Sequence, residues 1–181
     1  MSIYTIQQGN HYDNRLFSSC PFISSEPSIK RWALFDASCA YTLPAYNTED
    51  VNKLFGLCFG IRGIHYNSAR FGWRYSRSGN CIQILAYVYR KGIRNQDEQL
   101  RFPLVATVQV GEPIELELES DAQSYRFYSR KPGQEQSVLS VPHERQLQFF
   151  GLTASLYFGG SQVAPQTMKI MMSRNPIAAL N

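Results

Sequence analysis

The segment PIELELES at 113–120 constrains the fold more than any other part of the sequence. Its isoleucine and leucine side chains alternate strictly with Glu115, Glu117 and Glu119. Because successive side chains of a strand point to opposite faces of a sheet, this alternation predicts a strand with one buried face and one face in water. A second layer must cover the buried face, so a chain built from such strands folds as packed layers around a shared core.

Short strand-like runs recur along the whole chain, whereas long helical patterns are missing. Further strands are predicted at 3–6, 31–38, 53–61, 69–76, 81–89, 104–110, 124–130, 146–150, 152–158 and 168–173. Turn-forming residues separate the runs, as in KPG at 131–133. Short strands at this spacing predict an all-β fold, a two-sheet antiparallel β-sandwich of jelly-roll or concanavalin-like type.

The length of 181 residues fits one domain with a core of its own. We expect a single β-sandwich domain over 1–181, with a loose tail from about 174 to 181. No apolar run reaches the roughly 18 to 20 residues that a membrane span needs, so no membrane partner is expected. The polar N-terminus lacks the basic and apolar regions of a secretory signal.

Four cysteines, Cys20, Cys39, Cys58 and Cys81, are spread along the chain without CxxC or CxxH spacing. That arrangement is not typical of zinc or redox sites. Two of them lie in apolar runs, where a free thiol packs as a small hydrophobic side chain. Free thiols favour a reducing compartment, so the sequence leans towards a cytoplasmic location.

Positive charge is concentrated in one part of the chain. The net charge is only +4, yet residues 51–96 contain eight Lys or Arg and no Asp or Glu. Arginine outnumbers lysine 13 to 5, and arginine is the better side chain for bidentate contacts to anions. The modest total charge and the few lysines argue against nucleic acid as the partner, although a basic segment would give salt-dependent binding.

A hairpin turning at Ser78-Gly79 divides this basic segment into two faces. The turn places Arg74 opposite Gln83 and Arg70 opposite Tyr87. One face then carries only apolar and aromatic side chains, which predicts that it is buried. Slipping the register by one residue would mix apolar and polar side chains on both faces, which a half-buried sheet resists.

The other face is the predicted binding site. Its ligand-binding residues are predicted to be Ser68, Arg70, Arg74, Gln83, Tyr87 and Tyr89, with His65 at the rim. Gly72 lies between the two arginines and is expected to leave a notch. Guanidinium, amide and phenol groups suit an anionic or hydroxyl-rich ligand. The alternative is a solvated face whose arginines pair with the glutamates of 113–120.

Catalytic and metal sites are not predicted. The sequence has no GxSxG motif, no pair of histidines at metal-ligand spacing and no glycine-rich phosphate loop. We therefore expect no cofactor, no metal ion and no assigned catalytic residue.

Three segments resemble alginate lyases of the concanavalin-like jelly-roll type: SARFGWR at 68–74, IQI at 82–84 and YFGGSQ at 157–162. Those enzymes carry an Arg-rich strand, a Gln-Ile-His strand and a late Tyr-Phe-Lys-Ala-Gly strand on one concave sheet. Here Gly72 replaces their acidic residue, Leu85 replaces the histidine and Gly159 replaces the lysine. The resemblance implies the fold and a saccharide-type groove, but no matching base for β-elimination.

The leading hypothesis is a non-catalytic, lectin-like module that binds an acidic saccharide or another small anion on the hairpin face. The first alternative is a structural or assembly protein, such as a virion component, that uses the sandwich for protein contacts. The second alternative is a polysaccharide lyase-like enzyme. A homo-oligomer is compatible with each of them.

Overall fold

The computed structural model describes residues 1–14, 20–24, 26–43, 50–60, 63–95, 102–143 and 150–179. It shows an all-β fold of two antiparallel sheets, which confirms the predicted fold class. The first sheet has the order β1 (Ser2–Ile6), β13 (Met168–Ser173), β3 (Ser28–Phe35), β9 (Pro113–Ser120), β10 (Ser124–Arg130) and β11 (Ser137–Pro142). The second has the order β2 (Pro21–Ile23), β12 (Phe150–Ala154), β4 (Asn52–Phe59), β5 (Ser68–Ser76), β6 (Cys81–Arg90) and β7 (Ile93–Arg94), with β8 (Leu104–Val108) also paired to β6.

Strand β9 lies inside the first sheet, between β3 and β10. Its apolar side chains are fully buried, and its glutamates form ion pairs on the opposite face. Arg130 approaches Glu115 to 2.7 Å, and Lys30 approaches Glu117 to 3.0 Å. The glutamates are therefore paired within their own sheet, and β9 is not hydrogen-bonded to the basic hairpin, which belongs to the second sheet.

The hairpin β5–β6 has the register predicted from the sequence. Arg74 pairs with Gln83, Arg70 with Tyr87, and the ladder runs from Ser68–Tyr89 to Ser76–Cys81. The loop contains four residues, 77–80, and Asn80 has a left-handed conformation with φ of 47°. Asn and Gly tolerate this region of backbone conformation best. The turn is wider than the expected two residues, but it is centred on the same residues, so the register is the same.

The core lies between the sheets and is rich in aromatic rings. Trp73 of β5 packs against Phe35 of β3 with ring centroids 5.1 Å apart, and Phe71 meets Phe127 edge-on at 5.1 Å. The predicted apolar face of the hairpin is thus the face that joins the two layers. Outside this core, Ile177 packs against Trp32 and Leu34.

The strands β2, β7 and β11 were not predicted, because each is short or lacks a clear alternation. The predicted strand at 146–150 lies outside the described residues except for Phe150. Helical structure in the described ranges is one 3-10 turn, Ala37–Cys39, and none of it has the length and apolar character to cross a membrane.

Candidate ligand-binding groove

A groove of about 1010 Å³ runs over the outer face of the second sheet, and its floor is formed by members of three cross-strand rows. Paired residues of neighbouring strands point to the same side, so the registers define each row. The first row is Leu152, Cys58, Ser68, Tyr89 and Arg94; the second is Ala154, Gly56, Arg70 and Tyr87; the third is Tyr157, Lys53, Gly72 and Leu85.

Small side chains beside Arg70 create the hollow. Ala154 and Gly56 precede Arg70 in its row. A Cβ atom built on Gly56 would lie 2.1 Å from the carbonyl oxygen of Ala69 and 2.8 Å from Cγ of Arg70. Glycine is therefore required here by the close approach of β5, and it leaves the space that the long arginine side chain occupies.

Arg70 is the cation at the centre of the groove, with only 3% of its surface exposed. Its guanidinium carbon lies 4.9 Å from the ring centroid of Tyr87. Nε and Nη2 are buried and have no hydrogen-bond acceptor among the described residues. Burial lowers the pKa of this guanidinium, because removing a charge from water without a counterion is costly.

Lys53 adds a second buried cation next to Arg70. Nζ donates a 2.7 Å hydrogen bond to the carbonyl oxygen of Gly159 and lies 4.7 Å from the ring centroid of Tyr87. Burial, followed by repulsion from Arg70, lowers the pKa of Lys53 to about 8, while Asp50 partly opposes the shift. The lysine is still mostly protonated at neutral pH, so two positive charges share the floor.

Tyrosine hydroxyls and the His65 ring line the groove beside the cations. Tyr87 hydrogen-bonds with the side chains of Tyr89 and Arg94, and burial raises its pKa to about 12. His65 contacts Tyr89 edge-on with a centroid distance of 5.3 Å. Burial and the nearby Arg70 lower the pKa of His65, which favours the neutral form of its ring. These groups donate or accept hydrogen bonds without adding negative charge.

Aromatic residues from two distant segments form one rim. Tyr157 stacks on His11 with centroids 5.1 Å apart and an interplanar angle of 4°, and it meets Tyr12 edge-on at 5.1 Å. The backbones of Tyr12 and Tyr157 form a β-bridge, and Tyr157 forms another with Lys53. Sequence reasoning missed Lys53 and Tyr12 as site residues. Tyr157 is part of the segment 157–162 that resembles alginate lyases, but it was not predicted as a site residue.

The predicted site residues divide into two groups. Arg70, Tyr87, Tyr89 and His65 all line the groove. The other group does not: Nε of Arg74 donates a 2.7 Å hydrogen bond to Oε1 of Gln83, and both lie away from the lining. Ser68 is buried and donates to the carbonyl oxygen of Ile64 at 2.6 Å.

The expected notch at Gly72 is wrong, because an apolar side chain fills it. A Cβ atom at Gly72 would lie 2.6 Å from Cγ1 of Val51. Val51 belongs to a small apolar cluster with Leu85, Tyr87 and Phe102. The sequence could not show that a residue before β4 folds over this position, and the groove lies over Ala154, Arg70 and Tyr87 instead.

The opposite side of the groove is apolar and open to solvent. Ile23, Phe150 and Leu152 line it, with exposed fractions of 87%, 48% and 49%. Across the described lining, then, cations and hydroxyl groups form the floor and apolar groups the sides, without a carboxylate. No group of three His, Cys, Asp or Glu side chains within the described ranges is placed to hold a metal ion.

Comparisons with known proteins concern the fold. No protein-family model and no curated protein sequence matches the chain. Among solved structures, a functionally unknown protein from Saccharomyces cerevisiae is similar, with a TM-score of 0.54 and 10% identity over 91% of this chain and 75% of that one. The alginate lyase from Klebsiella pneumoniae has a TM-score of 0.43 and 11% identity over 81% of this chain and 57% of the lyase. Chicken galectin 2 has a TM-score of 0.36 and 9% identity over 94% of this chain and 98% of the galectin.

The fold is a two-sheet antiparallel β-sandwich, and the solved structures that it is similar to include an alginate lyase. At such low sequence identity the similarity concerns the fold alone and indicates neither a ligand nor an activity. The position of the lyase histidine holds Leu85, which packs in the apolar cluster with Val51 and Phe102. Leu85, the residue that replaces the lyase histidine, is therefore buried among apolar side chains.

Proposed function

We propose that the groove binds an acidic saccharide, with a carboxylate held near Arg70 and Lys53. The observation that carries the proposal is the pair of buried cations on a floor whose described lining has no carboxylate. Buried charges are normally paired, because an uncompensated one destabilises the fold. An anion in the groove would supply the countercharge that Arg70 lacks.

The remaining lining favours a sugar over a bare inorganic anion. Tyr87, Tyr89 and His65 offer hydrogen-bonding groups around the charge, whereas Ile23 and Leu152 offer apolar surface. A sugar ring presents hydroxyl groups at its edge and C–H groups on its faces, so it matches both kinds of wall. Ligand sites of this size commonly combine apolar lining with a few placed polar groups.

The binding proposal is tested by a matched pair of arginine variants on one strand. Arg70→Gln should weaken binding of tetramannuronate or tetragalacturonate about tenfold or more, because charge-assisted contacts contribute roughly 1.5–3 kcal/mol. Arg74→Gln should stay within about twofold, since Arg74 bonds to Gln83 outside the groove. Isothermal titration calorimetry gives both affinities, with neutral cellotetraose as the ligand control.

Two results would overturn the proposal: no binding of either acidic tetramer, or equal losses in the two variants. Thermal unfolding separates binding from folding. Arg70→Gln should unfold at the same temperature as the wild type or higher, because it removes a buried charge that has no acidic partner among the described groove residues.

A further inference from the structure

The ring of Tyr12 is exposed to solvent at the edge of the groove. Its side chain is 70% exposed although it is a large aromatic residue, and it lines the groove. Exposed aromatic rings beside a binding groove commonly serve as flat contact surfaces, since tyrosine combines an apolar face with little conformational freedom to lose.

Tyr12 is also held in place, which distinguishes it from a mobile surface side chain. Its backbone is bridged to Tyr157, and its ring meets the Tyr157 ring edge-on. Tyr157 is in turn backed by His11, whose Nδ1 lies 2.9 Å from the carbonyl oxygen of Phe158. A ring fixed in this way loses little entropy when a ligand packs against it.

The rim lies next to the charged floor. Nζ of Lys53 lies 5.7 Å from the centroid of Tyr157 and 4.7 Å from that of Tyr87. The rim of Tyr157 and Tyr12 is therefore within reach of the sugar unit next to one whose carboxylate is at Arg70 and Lys53.

We infer that the groove recognises an acidic oligosaccharide rather than a single sugar, with a second sugar unit stacked on Tyr12. This rests on the proposed function and deepens it: the charged floor selects the acidic unit, and the Tyr12 rim selects chain length. The C–H face of the second ring packs on the tyrosine, while its hydroxyl groups remain in water.

Comparison of mannuronate with tetramannuronate tests the inference by calorimetry. Wild type should bind the tetramer more tightly than the monomer. Tyr12→Ala should weaken the tetramer about three- to tenfold and leave the monomer unchanged, as expected for the loss of one aromatic contact. Tyr128→Ala, on the outer face of the first sheet, is the matched control and should change neither.

A second variant keeps the test independent of folding. Tyr12→Trp should retain the preference for the tetramer, and its indole fluorescence should change with the tetramer but not with the monomer. Equal affinity of wild type for both ligands, or an undiminished preference in Tyr12→Ala, overturns the inference while leaving the proposed function intact. Absence of binding to both ligands overturns the two together.

Discussion

At the scale of single residues, Arg70 and Lys53 are the two buried cations on which the proposed binding site depends. Both are buried in a region where the described lining has no acidic group, so each costs folding stability. Residues that lower stability in this way are typical of binding sites, where stability is given up for function.

Arg70 could be placed on the correct face from the sequence, because the two faces of the hairpin alternate so cleanly. Lys53 could not, since the strand β4 around it has no alternation.

Lys53 also makes the stability dependent on pH in a direction that can be tested. Its pKa is lowered to about 8 by burial and by Arg70, with Arg94 adding to the shift and Asp50 opposing it. An unfolded lysine titrates near 10.4. Between these values the unfolded chain binds more protons than the folded one, so the contribution of Lys53 to the free energy of unfolding rises with pH.

Lys53→Met removes this contribution. Urea unfolding at several pH values should show the variant more stable than wild type at about pH 7, with a margin that shrinks as the pH rises from about 8 towards about 10.4. A margin that stays constant over this range would contradict the lowered pKa.

With ligand present, wild-type affinity for tetramannuronate should fall above about pH 8, because Lys53 loses its charge.

At the scale of elements, the close pairing of β4 with β5 positions the site. Gly56 on β4 allows the backbone of β5 to approach, and Gly72 on β5 receives the side chain of Val51. The two glycines therefore differ in what an added methyl group would meet. At Gly56 the nearest atom is a backbone oxygen, whereas at Gly72 it is a side-chain methyl of Val51.

We expect Gly56→Ala to be the more damaging of the two changes. It should lower the free energy of unfolding by about 1–3 kcal/mol, the usual cost of overpacking, and should weaken tetramannuronate binding because it displaces Arg70. Gly72→Ala is the matched control and should cost less and keep binding. Chemical denaturation and calorimetry measure both, and an equal or reversed order would argue against this packing.

At the scale of the whole molecule, the sequence predicted the layers better than the groove. The alternation in 113–120 and the hairpin register are local patterns, so they predicted the strands and the buried faces directly. The groove depends on segments far apart in sequence: Tyr12 near the N-terminus, Lys53 on β4 and Tyr157 after β12. A single sequence does not show which strands become neighbours, and for the same reason the filling of the Gly72 position by Val51 could not be foreseen.

The separation of charge between the two sheets completes this picture. The glutamates of β9 pair with Lys30, Arg126 and Arg130 on the outer face of the first sheet. Lys53 and Arg70 of the second sheet face the groove instead. Structural pairing of positive charge and proposed ligand binding therefore fall on opposite sides of the sandwich.

The most direct measurement is an NMR titration of the ¹⁵N-labelled protein with tetramannuronate, using cellotetraose as the neutral control. The account predicts that amide shifts on addition of the acidic tetramer concentrate at Lys53, Arg70, Tyr87 and Tyr157, while the strand 113–120 is unaffected. Shifts concentrated on the glutamate face of that strand, or identical shifts with the neutral tetramer, would contradict the central claim that the cationic groove of the second sheet binds an acidic saccharide.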